Sequence, residues 1–215
     1  MNSKSRNILF ITWDGPQTSY IKGLFLPIFK DLQTKYGYNF HIIQFSWSNS
    51  KETQELKSFC EESEVSYTRF KVFRKQASLG LINAVFFQSR QVLKYIRENG
   101  IDIVMPRGTT SAMIFNSILS KTNSKYLFDA DGFSQDERVD FGSWKPLSLK
   151  YRIYRDSEFK TIHKADAIIV RSSQAKKILS ARAGSAFKSE KITVINNGKD
   201  PSKFTLKAQK ETLSK

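Results

Sequence analysis

Cysteine is nearly absent: the 215 residues hold one, Cys60. A lone thiol closes no internal disulfide, so a reducing compartment is the expected setting. Cys60 falls beside Leu56 and Phe59 at helical spacing and reads as core packing. Long hydrophobic runs are absent too. Met1 to Arg6 is polar, and the apolar run that follows, Ile8 to Ile11, is too short for the core of a signal peptide. No stretch approaches the roughly 20 apolar residues of a spanning helix. A cytoplasmic protein is expected, with neither a visible secretion signal nor an integral span. Blocks of like charge are missing as well. Lys and Arg total 35 against 20 acids, a net +15, yet the charges are scattered. Such an excess favours polyanionic partners: nucleic acid, an anionic membrane face or phosphorylated ligands. The length suits one large domain or two small ones, with a full core and no covalent staple.

Familiar catalytic and binding signatures are also lacking. The first turn carries one glycine, Gly15, not the three of a dinucleotide fingerprint. There is no phosphate loop, no nucleophile elbow and no cysteine–histidine cluster for zinc. His41 sits in an expected strand and His163 in an expected helix, and both read as structural. No helix-turn-helix, RNA-recognition or zinc-finger pattern accompanies the positive charge, so nucleic acid is not the expected partner.

What the sequence does contain is an alternation. Ile8–Thr12 is a continuous apolar run, as in a strand covered on both faces. Ile21, Leu24, Phe25, Ile28, Phe29 and Leu32 then recur at helical spacing, with Pro27 expected to kink the helix or split it. Strands are expected at Asn39–Phe45, within Val65–Phe73, and at Ile101–Met105, Tyr126–Phe128, Ala167–Val170 and Ile192–Ile195. Helices are expected at Glu52–Glu62, Leu79–Glu98, Thr110–Lys121, Ser148–Lys164 and after Ser172. The longest, Leu79–Glu98, is expected to bury Ile82, Val85, Phe86, Val92, Leu93 and Ile96. Asp129–Leu147 reads as one long loop, Ala183–Glu190 as a second. Strands alternating with helices make an α/β fold: a Rossmann-like parallel sheet of about seven strands, with right-handed crossovers and helices on both faces.

Ligands of such sheets bind beyond the C-terminal strand ends, where helix N-termini converge and suit anions. That rim comprises Trp13–Gln17, Arg107–Thr110, Asp129–Arg138, Arg171–Ser173 and Asn196–Gly198. Arg107 suits a phosphate or carboxylate, or pairs with Asp102 or an acid of the 129–138 loop. Gly108 permits close backbone approach, and Thr109 or Thr110 is placed to cap the next helix, as Ser172 is for a later one. Asp129 and Asp131, one residue apart, open the longest loop and read as ligand-facing; a divalent metal is the less favoured reading. Arg69–Lys75 interleaves basic and apolar residues. Its first part reads as an alternating strand, and Phe73–Lys75 as a candidate membrane contact.

Several segments together resemble the N-terminal domain of GT-B glycosyltransferases of family 4. Ala165-Asp166-Ala167-Ile168-Ile169-Val170, followed by Ser172 and Ala175-Lys176, resembles a late strand of that domain. Ile192-Thr193-Val194-Ile195-Asn196-Asn197-Gly198, with Asp200 and Phe204, is similar to the V-I-P-N-G-V-D-x-x-x-F segment that ends it. Phe128-Asp129-Ala130-Asp131-Gly132-Phe133, with Asp136-Glu137-Arg138-Val139, resembles the F-D-x-R-G-F-W-x-D-E-R-V stretch of one subgroup. Tyr151 and Glu158 fall where that subgroup carries an aromatic and an acid. Asp131 departs from the subgroup's arginine, Asn196 from a common proline, and Asp129 from an acceptor-side histidine.

The resemblance implies two Rossmann-like domains facing a cleft, the first binding acceptor and the second the nucleotide-sugar. It implies retention of anomeric configuration, no metal and no cofactor beyond the nucleotide-sugar co-substrate. On this reading residues 1–205 are the N-terminal domain, 206–215 a linker stub or frayed tail, and the donor-binding domain lies outside the chain, leaving this piece inactive alone. The expected partners are a glycan or lipid-linked acceptor, a nucleotide-sugar and an anionic membrane surface at the inner face of the cytoplasmic membrane; the expected process is bacterial surface-polysaccharide synthesis. Asp129 is the expected catalytic residue. Gly15, Arg107, Asp131, Glu137, Arg138, Ser172 and Asn197 are the expected acceptor or donor-phosphate contacts. A stand-alone, non-catalytic module for an anionic glycan or lipid is the alternative.

Overall fold

The apolar run Asn7–Trp13 forms β1, with its five central residues enclosed on both sides. The structure is a computed structural model that describes residues 5–15, 20–72, 77–142 and 144–196. The other strands are β2 Asn39–Ser46, β3 Ser66–Lys71, β4 Ile103–Pro106, β5 Lys125–Ala130, β6 Ala167–Val170 and β7 Ile192–Val194. They form one sheet in the order β3-β2-β1-β4-β5-β6-β7, every pair parallel. The α/β parallel sheet expected from the alternation is therefore observed. Strand order reverses between β1 and β4, which places a crevice beyond their C-terminal ends.

The helices are α1 Leu26–Tyr36, α2 Ser50–Glu62, α3 Ala77–Asn83, α4 Ser89–Glu98, α5 Gly108–Asn116, α6 Ser134–Asp140, α7 Leu149–Lys164 and α8 Ser173–Ala183. Strand side chains alternate between the two faces. Ile8, Phe10, Phe40 and Ile42 pack with Phe29, Leu56 and Cys60 of α1 and α2. Leu9, Ile11, Ile43 and Phe45 share the opposite core with Val92 and Ile96 of α4, Phe115 of α5, Ile162 of α7 and Leu179 of α8. Burying one such phenylalanine is worth about 1.5–3 kcal/mol. Asn49 and Glu52 form a capping box at α2; Ser148 and Ser172 cap α7 and α8.

Three expectations are corrected. Residues 77–98 are interrupted by a π-helical turn, Ala84–Gln88. Ala84, Val92, Leu93 and Ile96 are buried, whereas Phe86 is 63% exposed and Ile82 also faces solvent. A π-turn inserts one residue, so the face extrapolated from α4 rotates by about 100° before it reaches α3. The expected loop Asp129–Leu147 is partly regular: β5 runs on through Ala130, and α6 follows. The helix expected over Thr110–Lys121 begins at Gly108, ends at Asn116 and is followed by a separate 3-10 turn, Leu119–Lys121. Pro27 sits in the first turn of α1, directly after a separate π-helical turn, Ile21–Phe25, so the expected split of the helix at this proline is observed. Phe73–Lys75 lies outside the described residues.

Candidate functional site

Because all seven strands point one way, Trp13, Arg107, Asp129 and Ser172 lie along one edge of the sheet. Between the ends of β1 and β4 a cleft of about 550 Å³ opens, walled by Asp14, Gly15, Trp47, Arg107, Thr110 and Arg138 among others. This is the switch-point crevice. A larger depression of about 690 Å³, with Arg6, Arg97, Asp102 and Lys125, lies at the opposite, N-terminal edge.

Gly15 is required by its neighbour. A Cβ there would stand 2.6 Å from Cζ2 of Trp47, whose indole closes that side of the cleft. Gly108 is required by its backbone, with φ +69 at the start of α5. The expected cap by Thr109 or Thr110 is not made. Arg107 occupies the cap position without a side-chain hydrogen bond, so the first turn of α5 opens on the cleft with no side chain capping its N–H groups.

Asp14 lines the cleft, and two polar side chains hold its carboxylate. Thr12 Oγ1 donates to its Oδ2 (3.0 Å) and Gln44 Nε2 donates to its Oδ1 (3.1 Å). Gln44 is itself fixed by the Tyr67 hydroxyl, which donates to its Oε1 at 2.6 Å. Burial pushes the Asp14 carboxyl above the usual carboxylate range, opposed by the bonds from Gln44 and Thr12 and by Arg107.

Arg107 is the hinge of the rim. Its Nη1 is 3.2 Å from Asp129 Oδ2 and its Nη2 is 2.5 Å from Asp131 Oδ1. Arg171 Nη2 reaches the other oxygen of Asp129 at 2.5 Å. Asp129 is 0% exposed. Burial raises its carboxyl, and Arg171 and Arg107 pull it back. Asp129 is expected either to contact a ligand or to be held by Arg107 and Arg138; both of its oxygens are taken by guanidinium groups, those of Arg107 and Arg171, and it does not line the cleft. Of the two readings of Arg107, the ion pair with the 129–138 segment is formed; Asp102 instead accepts the Asn7 backbone N–H.

Behind α6 a second ionic cluster holds the wall. Glu158, 3% exposed, accepts from Arg155 Nη1 (2.9 Å), Arg182 Nη1 (3.1 Å) and Gln135 Nε2. Arg182 Nη2 also reaches Asp136 Oδ2 at 2.8 Å, and the Tyr151 hydroxyl donates to Asp136 Oδ1. Burial raises the Glu158 carboxyl against Arg182 and Arg155.

Of the expected contacts, the structure brings Gly15, Arg107, Asp131 and Arg138 together around the cleft. Glu137 is exposed on α6 and Ser172 is engaged as the cap of α8; neither lines it. Asn197 lies outside the described residues. Sequence reasoning missed Trp47 and Arg182, and it included Asp14 and Arg171 in the rim segments without singling them out. Asp14 had a visible signal, an acid at the end of the first strand; the arginines pair across 24 to 46 residues and leave no local trace.

The fold and its switch-point cleft are those of one Rossmann-like domain of the GT-B glycosyltransferase class. Similar solved structures include sucrose-phosphate synthase of Thermosynechococcus elongatus (TM-score 0.62, 13% identity, 93% of this chain and 50% of that one). The lipopolysaccharide outer core galactosyltransferase WaaB in its apo form is similar too (0.57, 18%, 88% and 45%). So is HepE of Anabaena in complex with UDP and glucose (0.57, 13%, 92% and 46%). The chain thus spans about half the length of these structures. A search of curated proteins gave no match. The sequence profile of Glycosyltransferase Family 4 matches residues 32–203, most of the chain, and the chain belongs to that family. Among the described residues no helix is long and apolar enough to cross a membrane.

Proposed function

We propose that this chain is the N-terminal, acceptor-binding domain of a retaining glycosyltransferase that moves a sugar from a nucleotide-sugar to a glycan or lipid-linked acceptor, in bacterial surface-polysaccharide synthesis. A second Rossmann-like domain, of the size the similar structures add, supplies the donor site and closes the cleft. The observation that carries the reading is Asp14, which lines the switch-point cleft with its carboxylate held by Thr12 and Gln44, in a chain of glycosyltransferase family 4.

Asp14 accepts a hydrogen bond from the acceptor hydroxyl and sets its approach to the donor carbon. The Gly15 turn and the open first turn of α5 face the donor diphosphate, which suits free N–H groups. As the bond from the anomeric carbon to the diphosphate breaks, an oxocarbenium-like sugar develops. The acceptor oxygen bonds to the same face of that carbon, and its proton passes to the departing diphosphate. Preorganised dipoles at the rim stabilise the separating charges. Asp129 does not touch substrate here; it holds Arg107 and Arg171 in place. No metal or cofactor takes part beyond the donor.

The test is transfer of labelled sugar by the full-length protein from a panel of nucleotide-sugars. Asp14→Asn should lower kcat/KM about 10- to 100-fold, the cost of a hydrogen bond to a charged acceptor, with unchanged folding. Unchanged transfer would remove Asp14 from the site. Binding of an acidic glycan or lipid with no consumption of any nucleotide-sugar would replace the whole reading with that of a non-catalytic module.

A further inference from the structure

The depression at the N-terminal edge of the sheet gathers cations that the function proposed above does not use. Arg6 precedes β1, Arg97 lies in the last turn of α4, Lys121 closes the 3-10 turn and Lys125 opens β5. All four line the depression, with Asp102 as the acid among them. They come from four separate stretches of chain, so the fold and not a local run of charge assembles them. From Ile103 to Phe128 the sequence has no acid. Asp102 is already engaged: its Oδ2 accepts the Asn7 backbone N–H at 2.9 Å. Lys125 reaches Asp166 across 3.3 Å, an exposed pair that is readily exchanged. Among the described residues no carboxylate pairs with Arg6 or Lys121.

The walls are set before any ligand arrives. Arg97 Nη2 donates to the Lys121 carbonyl at 3.1 Å, which pins the guanidinium, and no other described bond takes its remaining N–H groups. Ser124 Oγ donates to the Ile101 carbonyl at 2.7 Å, and the Thr122 hydroxyl lies 2.9 Å from Ser124 Oγ, so this loop is tied in place. A cation in the last turn of a helix answers the helix dipole, and Arg97 fills that role for α4. The other three cations exceed it. Ile96 and Ile101 supply the apolar lining, and no aromatic side chain lines the depression, so it offers no platform for a nucleobase.

We infer that this depression binds a small, soluble polyanion bearing two or more phosphate groups, at a site separate from the cleft. Arginine offers phosphate oxygens a planar fork and lysine a point charge. Thr122, Asn123 and Ser124 place hydroxyl and amide groups beside them. The volume of about 690 Å³ falls in the range of small-molecule sites. One phosphate group carries at most about two negative charges, fewer than four cations facing one engaged acid can balance. A nucleic-acid strand would call for stacking platforms, which this site lacks. The site stands apart from the sugar-transfer reading: it needs no donor, no acceptor and no part of the rim.

The test is titration calorimetry of the full chain with inorganic pyrophosphate, in metal-free buffer at an ionic strength of about 0.15 M. Saturable binding with Kd below about 1 mM is expected, and inorganic phosphate should bind more weakly. Arg6→Gln and Lys121→Gln should each weaken pyrophosphate about fivefold. Both side chains are exposed, so the thermal midpoint should hold. Lys51→Gln makes the same charge change at the start of α2, on the opposite edge of the sheet, and should leave binding unchanged. The inference is overturned if pyrophosphate does not saturate, if phosphate binds as tightly, or if Lys51→Gln weakens binding as much as Lys121→Gln. It also falls if Arg6→Gln and Lys121→Gln bind like the parent while Arg138→Gln does not, which would place the pyrophosphate in the cleft. A single-stranded oligonucleotide bound more tightly than pyrophosphate would replace the site with an extended nucleic-acid surface. Loss of sugar transfer with pyrophosphate binding intact would count against the enzymatic reading alone.

Discussion

Cys60 and Asp14 are both enclosed, yet burial acts on them with different results. Cys60 has no exposed surface, and burial, helped by the charge of Glu61, pushes its thiol up to about 12. It therefore stays protonated and inert. Native protein in mildly alkaline buffer should leave an aromatic disulfide reagent unreacted, while denatured protein should react fully; fast native labelling would contradict the packing. The linkage has one sign. Between the ordinary thiol value and about 12, the folded chain keeps a proton that the unfolded chain has lost, so rising pH favours unfolding across that window. Asp14 is pushed upward by burial as well, but hydrogen bonds from Gln44 and Thr12 oppose the shift and fix its direction. The Cys60 packing was legible from spacing to Leu56 and Phe59. The aim of Asp14 was not, because it depends on Gln44 and Tyr67, 30 and 23 positions along from the residues they hold.

At the scale of elements, α6 is the informative case. Its seven residues, Ser134–Asp140, bury only Gln135 and have no apolar stripe, so nothing in their pattern marks a helix. What holds them is Glu158 on α7 and Arg182 on α8, through Gln135 and Asp136. Removing the central carboxylate takes the described partner of Arg155 and leaves Arg182 with Asp136 alone, both guanidinium groups being mostly covered. Glu158→Ala should lower stability by about 3 kcal/mol, measured by urea unfolding, and should loosen α6 and with it Arg138 at the cleft. A loss below about 1 kcal/mol would mean that Asp136 alone suffices to anchor the helix. The central strands, by contrast, were readable to within about two residues at each end, because a parallel strand covered on both faces, such as β1, is a bare apolar run. The α3–α4 helix was readable as a helix but not in phase: its π-turn leaves no compositional mark, and one inserted residue moved Ile82 and Phe86 from the expected core to solvent.

The charge of the whole molecule sets a last expectation. A folded chain of this length has a radius of gyration of about 17 Å. At ionic strength of about 0.01 M the screening length is about 30 Å, so every charge feels every other; at about 0.15 M it is about 8 Å, and only neighbours interact. With 35 cations against 20 acids, long-range repulsion is the larger effect in the first regime. The exposed helical pairs that would offset it, such as Lys35–Asp31, Lys57–Glu61 and Lys94–Glu98, are worth a few tenths of a kcal/mol each. The ion pairs that matter, around Asp129 and Glu158, are buried and little screened. Adding salt across this range should therefore raise the thermal midpoint, because the charge excess that opposes folding is screened while the buried pairs are not. A melting series from low to physiological ionic strength checks it. A midpoint that falls with salt would place net stabilisation in the surface pairs.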